Sequence, residues 1–296
     1  MKHPIFTGSA VAIITPFKDG GVDFDTLRDL LDFQLENRTD AVVVCGTTGE
    51  ASTMTYQERA DTIAFCVRHV GGRVPVIAGS GSNSTENAVT LSREAERQGA
   101  DALLVVTPYY NKATQAGLLR HYRTIAGAVS LPIILYNVPS RTGVSIAPET
   151  YAALAETSNI AGVKEASGNL GNIQRTRVLC PEDFSIWSGN DDETVPICAL
   201  GGKGVISVAA NILPAEMHRL TQLCLKNDFA AAGKLQVHLK ELCDAMFCEV
   251  NPIPVKTALG LLGWRVGELR SPMCPPSPEN LERIKAVLAK YGLPVS

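Results

Sequence analysis

Ala41-Val42-Val43-Val44-Cys45 runs straight into Gly46-Thr47-Thr48-Gly49-Glu50, and Thr55-Tyr56-Gln57-Glu58 follows a few residues later. The first run is aliphatic with no polar alternation, as expected of a strand buried on both faces. Thr55 and Glu58 carry the spacing of a capping box, and Ala60, Ile63, Ala64 and Val67 continue as one apolar stripe. The stretch reads as a strand, a polar loop and a helix. Its recurrence along the chain decides the fold.

Similar runs extend from Ala10 to Ile14, Val74 to Ala78, Ala102 to Val106, Ile133 to Tyr136, Ile160 to Val163, Phe184 to Trp187 and Gly204 to Val208. Helical segments separate them. Phe24, Leu27, Leu30, Leu31 and Leu35 form a stripe that Asp23 is placed to cap, and the pattern returns over Thr85 to Gln98 and Thr114 to Ala128. Antiparallel hairpins would need tight turns of two to five residues between these strands, and none is expected. Strand followed by helix, eight times, is the signature of an α/β fold of the (β/α)8 TIM-barrel class, whose usual size of about 250 residues fits. A doubly wound open sheet is the rival, and the count of eight favours closure. Residues 1–225 are then the catalytic barrel and 226–296 a small C-terminal helical appendage. Its helices are expected over Phe229 to Met246, Pro254 to Leu262 and Pro278 to Tyr291, the last capped by Ser277.

The composition narrows the function. The 296 residues are 45% hydrophobic, 19% charged and 6% aromatic, and 27 Lys plus Arg against 30 Asp plus Glu give a net charge of −3. That balance supplies no general pull on nucleic acid or on an acidic membrane. No run reaches the ~18 apolar residues of a membrane helix, and no secretory pattern follows Lys2. The eight cysteines, at 45, 66, 180, 198, 224, 243, 248 and 274, make no CxxC pair. Neither they nor the five scattered histidines have zinc spacing, so buried free thiols in a reducing cytoplasm are expected. No metal is expected.

Chemistry in such barrels gathers at the C-terminal ends of the strands. There the sequence places Thr47 and Thr48, Tyr109, Tyr110, Tyr136, Lys164, Glu165, Gly189, Asn190, Asp191 and Asp192. Lys164 closes an aliphatic run, so burial should favour its neutral amine, a nucleophile able to form a Schiff base with a ketone. It could equally pair with Glu165 or snorkel to solvent. The tyrosines could relay protons, with Thr47 as a link, or simply pack. Arg141 could grip a carboxylate or be a solvated loop residue. Asp191 and Asp192 open a helix and suit capping better than a metal. Gly201-Gly202-Lys203-Gly204 precedes strand eight and lies at the wrong rim for a phosphate.

Five motifs in order resemble the dihydrodipicolinate synthase family, within the pyruvate-dependent class I lyases and aldolases. They are Gly46-Thr47-Thr48-Gly49-Glu50, Pro108-Tyr109-Tyr110-Asn111, Tyr136-Asn137-Val138-Pro139-Ser140-Arg141-Thr142-Gly143, Val163-Lys164-Glu165-Ala166-Ser167-Gly168 and Ser188-Gly189-Asn190-Asp191. The resemblance runs through nearly the whole chain. It implies that Lys164 forms an imine with pyruvate, without metal or other cofactor, and that Tyr136 moves protons. Thr47 and Tyr110 would extend the relay, Tyr110 reaching across from a neighbouring subunit. Thr48, Gly189 and the main chain at Ile206 would form the pyruvate-carboxylate and pocket contacts, and Arg141 would receive L-aspartate 4-semialdehyde. It further implies a cytoplasmic homotetramer, a dimer of dimers, serving diaminopimelate and lysine synthesis.

N-acetylneuraminate lyase and keto-deoxy sugar-acid aldolases share the lysine and tyrosine. Thr47-Thr48 and the Arg141 motif favour the synthase. A keto-acid-binding barrel without catalysis is the non-enzymatic alternative. Lysine-inhibited relatives commonly carry histidine and glutamate where this chain has Tyr56, Arg59 and Asn87, so feedback inhibition by lysine is expected to be weak or absent.

Overall fold

In the computed structural model, which describes residues 2–295, eight parallel strands close on themselves. They are β1 (Gly8–Ala12), β2 (Ala41–Val44), β3 (Val76–Gly79), β4 (Ala102–Val106), β5 (Ile133–Asn137), β6 (Ile160–Glu165), β7 (Ser185–Ser188) and β8 (Gly204–Ser207). Each pairs with its neighbours in chain order, and β8 pairs with β1 in the register Gly8 to Gly204. That seam needs glycine. Gly204 has φ +140°, and a Cβ there would meet the Gly8 carbonyl oxygen at 1.8 Å.

Successive strand residues face opposite sides, which divides the aliphatic runs into two cores. Ala10, Ala12, Ala41, Val43, Ile77, Ala102, Leu104, Ile134, Tyr136, Trp187 and Ile206 fill the barrel interior. Phe6 stacks on Trp187 at 5.1 Å and accepts the indole N–H on its carbonyl oxygen, plugging the bottom. The alternate residues, among them Val11, Val42, Val44, Leu103, Leu135, Val163 and Ile186, pack against the surrounding helices. Uninterrupted hydrophobicity thus reflects two buried faces.

The outer helices are α1 (Phe24–Glu36), α2 (Tyr56–Val70), α3 (Thr85–Arg97), α4 (Gln115–Ala126), α5 (Pro148–Ala155), α6 (Leu170–Leu179), α7 (Thr194–Ala199) and α8 (Pro214–Leu225). Asp23 caps α1 through the Asp25 and Thr26 N–H groups, and the Thr55–Glu58 capping box is complete. Three helices follow, α9 (Phe229–Ala245), α10 (Ile253–Leu261) and α11 (Pro278–Lys290), the last capped by Ser277.

Outside the barrel, Phe17–Lys18 pairs with Gly21–Val22 in a two-residue hairpin, where Asp19 and Gly20 both take positive φ. One expectation is corrected. Asp191 does not cap its own helix. Its Oδ2 accepts the N–H groups of Val208 and Ala209 instead, bracing the loop after β8.

Candidate active site

The rim at the C-terminal ends of the strands surrounds a cavity of about 500 Å3. Lys164 and Tyr136 form its floor. They are Cα partners across β5 and β6, so their side chains enter the barrel interior side by side. Lys164 is 5% exposed, and its Nζ lies 4.4 Å from the centroid of the Tyr136 ring. Among the described residues it makes no ion pair.

Glu165 is kept away by the strand's alternation. It points out of the barrel, where Asn137 Nδ2, Tyr151 Oη–H and Ser167 N–H donate to its carboxylate. Burial pushes its pKa up while those donors pull it down. The pairing of Lys164 with Glu165 that adjacency allowed is therefore ruled out by geometry. Behind Lys164, Gly189 leaves room that no other residue could: a Cβ there would meet the Ala166 Cβ at 2.7 Å and the Lys164 Cε at 3.1 Å.

Thr47, Thr48, Tyr109, Arg141, Gly189 and Asn190 complete much of the wall. Thr48 is buried, whereas Thr47 is open to the rim. Arg141 sits in a four-residue helix, Pro139–Thr142, that the left-handed Gly143 terminates. Tyr110 is not brought in. At φ +73° it turns away from the cavity and is 88% exposed. Ile206 lies wholly buried in the barrel interior, and Val208 rather than Ile206 contributes to the lining.

Two further polar residues, Asn251 and Arg59, line this cavity, and a buried ion pair lies elsewhere in the same region of the chain. Asn251, just before α10, lines the cavity and donates from Nδ2 to Thr48 Oγ1 at 2.9 Å. Lys256 Nζ pairs with Glu50 Oε1 at 2.7 Å, both side chains being 2% exposed. Arg59 lines the opposite wall and donates to the Gly79 carbonyl oxygen. Burial lowers the pKa of the Arg59 guanidinium, and no carboxylate pairs with it among the described residues.

The dihydrodipicolinate synthetase family model matches residues 5–291. The chain belongs to this family. A 4-hydroxy-tetrahydrodipicolinate synthase of Thermoanaerobacter pseudethanolicus is 52% identical over 98% of each chain. The dihydrodipicolinate synthase structure from Aquifex aeolicus superposes with a TM-score of 0.96 at 47% identity, covering 98% of this chain and 100% of that one. A chloride-inhibited enzyme of the same name from Acinetobacter baumannii, complexed with pyruvate, reaches 0.94 at 42% identity, over 97% of this chain and 99% of that one.

Family membership agrees with the closed barrel and its C-terminal helices. The family motifs contain Thr47, Thr48, Tyr136, Arg141, Lys164 and Gly189, which the structure gathers at one cavity. Asn251 and Lys256 escaped the sequence reading because their partners lie about two hundred positions away. The local signals were Asn251-Pro252, a polar turn dipeptide, and a single lysine, Lys256, within the mostly apolar helix that follows.

Proposed function

We propose that this chain is an aldolase-type lyase that condenses pyruvate with L-aspartate 4-semialdehyde to 4-hydroxy-tetrahydrodipicolinate. One observation carries the reading: a buried lysine amine, in no ion pair among the described residues, lies against a tyrosine ring inside a cavity of substrate size. About 50% full-length identity to enzymes of that name supports it.

Lys164 Nζ attacks the pyruvate ketone, and loss of water leaves an iminium. The iminium drains electrons from the neighbouring methyl, which loses a proton to give an enamine. The enamine carbon attacks the semialdehyde carbonyl, forming the new carbon–carbon bond. The amino group of the condensed product then attacks the imine carbon, closes the ring and expels Lys164 as the free amine. The iminium does the polarising, so no metal or other cofactor enters the reading.

Tyr136 passes protons during imine formation and collapse, with Thr47 as a link toward solvent. Thr48 donates to the pyruvate carboxylate, and Gly189 and the Ile206 main chain shape the floor beneath it. Arg141 takes the semialdehyde carboxylate. Tyr110, exposed on the rim, completes the relay of a neighbouring subunit in a homotetramer built as a dimer of dimers. The reading keeps residues 1–225 as the catalytic barrel and 226–296 as a helical region, in a cytoplasmic enzyme of diaminopimelate and lysine synthesis.

Borohydride reduction in the presence of pyruvate, followed by peptide mass mapping, tests the chemistry. A pyruvate-derived adduct on Lys164 is expected. Labelling of another lysine, or of none, overturns the mechanism. Turnover with the semialdehyde, against none with N-acetylmannosamine or glyceraldehyde, separates this activity from the sugar-acid aldolases.

A further inference from the structure

We propose that Asn251 is a positioning residue that fixes the direction of the Thr48 hydroxyl, so that Thr48 presents a proton to the keto-acid carboxylate. The inference rests on the function proposed above and assigns a role to a residue outside the barrel. Asn251 is 4% exposed, lines the cavity and sits between the two carboxylate-reading groups. Its Nδ2 donates to Thr48 Oγ1 at 2.9 Å, and its main-chain oxygen accepts from Arg141 Nη2 at 3.1 Å.

A hydroxyl has one proton and two lone pairs. With the Asn251 amide occupying a lone pair, the Thr48 proton is left for another acceptor. A carboxylate only accepts, so this is the polarity that pyruvate needs. Turning the amide over would aim Oδ1 at Thr48, draw the hydroxyl proton to itself and face the substrate with lone pairs. The orientation carries a cost: Oδ1 is buried and has no hydrogen-bond partner among the described residues. Such an orphan acceptor is retained where the other end of the amide has a task. Arg141 depends on Asn251 differently, through the main chain, and should be indifferent to the side chain.

That difference gives the test. Asn251→Asp keeps the size and removes the donor, and Asn251→Ala removes the side chain. Half-saturation by pyruvate is read from borohydride-trapped adduct on Lys164, which needs no second substrate. It should rise about 10- to 100-fold in both variants, as for loss of a hydrogen bond serving a charged group. The KM for the semialdehyde should stay within about threefold, since the Arg141 contact is to the backbone. Thr48→Val combined with Asn251→Ala should lose no more than the worse single variant, because both remove one interaction.

Unchanged pyruvate half-saturation, additive losses in the double variant, or a semialdehyde KM that rises as far as that of pyruvate overturns the assignment. Should Asn251→Ala fail to fold, Asn251→Asp decides, being the same size. A wild-type enzyme that traps pyruvate yet makes no product with the semialdehyde defeats the proposed activity alone, and the pyruvate readout still settles Asn251. A wild-type enzyme that traps no pyruvate defeats both.

Discussion

Lys164 and Tyr136 are Cα partners across β5 and β6, and the lysine Nζ lies 4.4 Å from the centre of the tyrosine ring. The ring face gives the amine an apolar seat that still tolerates positive charge, worth about 0.5–2 kcal/mol for a cation. The same seat suits the iminium that replaces it. Tyr136→Phe separates the ring from its hydroxyl. The fold and the seat should persist, while turnover falls by ~10²-fold or more with the proton-transfer group gone. Steady-state rates beside melting temperatures check this. Turnover equal to wild type would remove Tyr136 from the relay.

Gly189 predicts a second, purely steric effect. A methyl group at this position meets the Lys164 Cε at 3.1 Å, the Glu165 carbonyl oxygen at 3.1 Å and the Ala166 Cβ at 2.7 Å. Gly189→Ala should therefore shift the nucleophile and slow adduct formation by ~10²-fold, the scale of a small misplacement at a reacting centre. Overpacking should cost about 1–3 kcal/mol of stability. Rapid-quench borohydride trapping measures the first effect and denaturant unfolding the second. Trapping at the wild-type rate would mean that the lysine has another way to fit.

What was legible in the sequence was local or periodic. Eight aliphatic runs gave the barrel, and the Thr55–Glu58 spacing gave a capping box that formed as expected. The cluster at the cavity was legible because strand ends converge in a barrel, although the individual roles came from family motifs. Long-range choices were not legible. Adjacency alone could not say whether Lys164 would meet Glu165, and the strand's two-residue period sends them to opposite faces. Asp191 looked like a cap for the helix it opens, but its carboxylate braces Val208 and Ala209. Asn251 meets Thr48 only because the chain after α9 crosses the barrel mouth.

That crossing is held by a buried ion pair, Lys256 to Glu50. Lys256 also donates to the Glu268 carbonyl oxygen and lies 4.3 Å over the Phe17 ring, while Glu50 accepts the Arg270 N–H. Burial pulls the Lys256 pKa down, and the Glu50 carboxylate opposes that shift. Removing one partner strands the other charge, so Lys256→Ala should cost about 3–5 kcal/mol. Replacing both, with Lys256→Met and Glu50→Gln, should recover most of the loss. Chemical denaturation of the single and paired variants gives the comparison, and a pair no better than the single variant would contradict it.

The neighbouring pair Glu58–Arg270 predicts a pH dependence. Hydrogen bonding to Arg270 pulls the Glu58 pKa down from 4.5 to about 2. A carboxylate more acidic when folded than when unfolded stabilises the fold above its unfolded pKa. That contribution fades as the pH falls from about 4.5 toward 2. Allowing for solvent around this partly exposed pair, roughly 1–2 kcal/mol should be lost over that window. Glu58→Gln keeps an oxygen for the capping box and removes the titration, so its stability should be lower at neutral pH and flatter in acid. Melting temperatures at pH 7 and 3 read both, and parallel curves for the two proteins would exclude the linkage.

Inhibition by lysine is expected to be weak or absent, for reasons of charge around Tyr56, Arg59 and Asn87. Tyr56 donates its hydroxyl to Glu94 Oε2 at 2.6 Å, which raises the phenol's pKa. Arg59 brings a guanidinium with no carboxylate partner among the described residues, and Asn87 supplies no charge. A lysine molecule entering there would bring its ammonium groups up to a fixed cation in a half-desolvated site, where like charges repel strongly. Half-inhibition should accordingly need more than about 1 mM lysine at saturating pyruvate, an affinity weaker than about 4 kcal/mol. Initial rates across a lysine titration measure it. An inhibition constant well below millimolar would defeat this expectation.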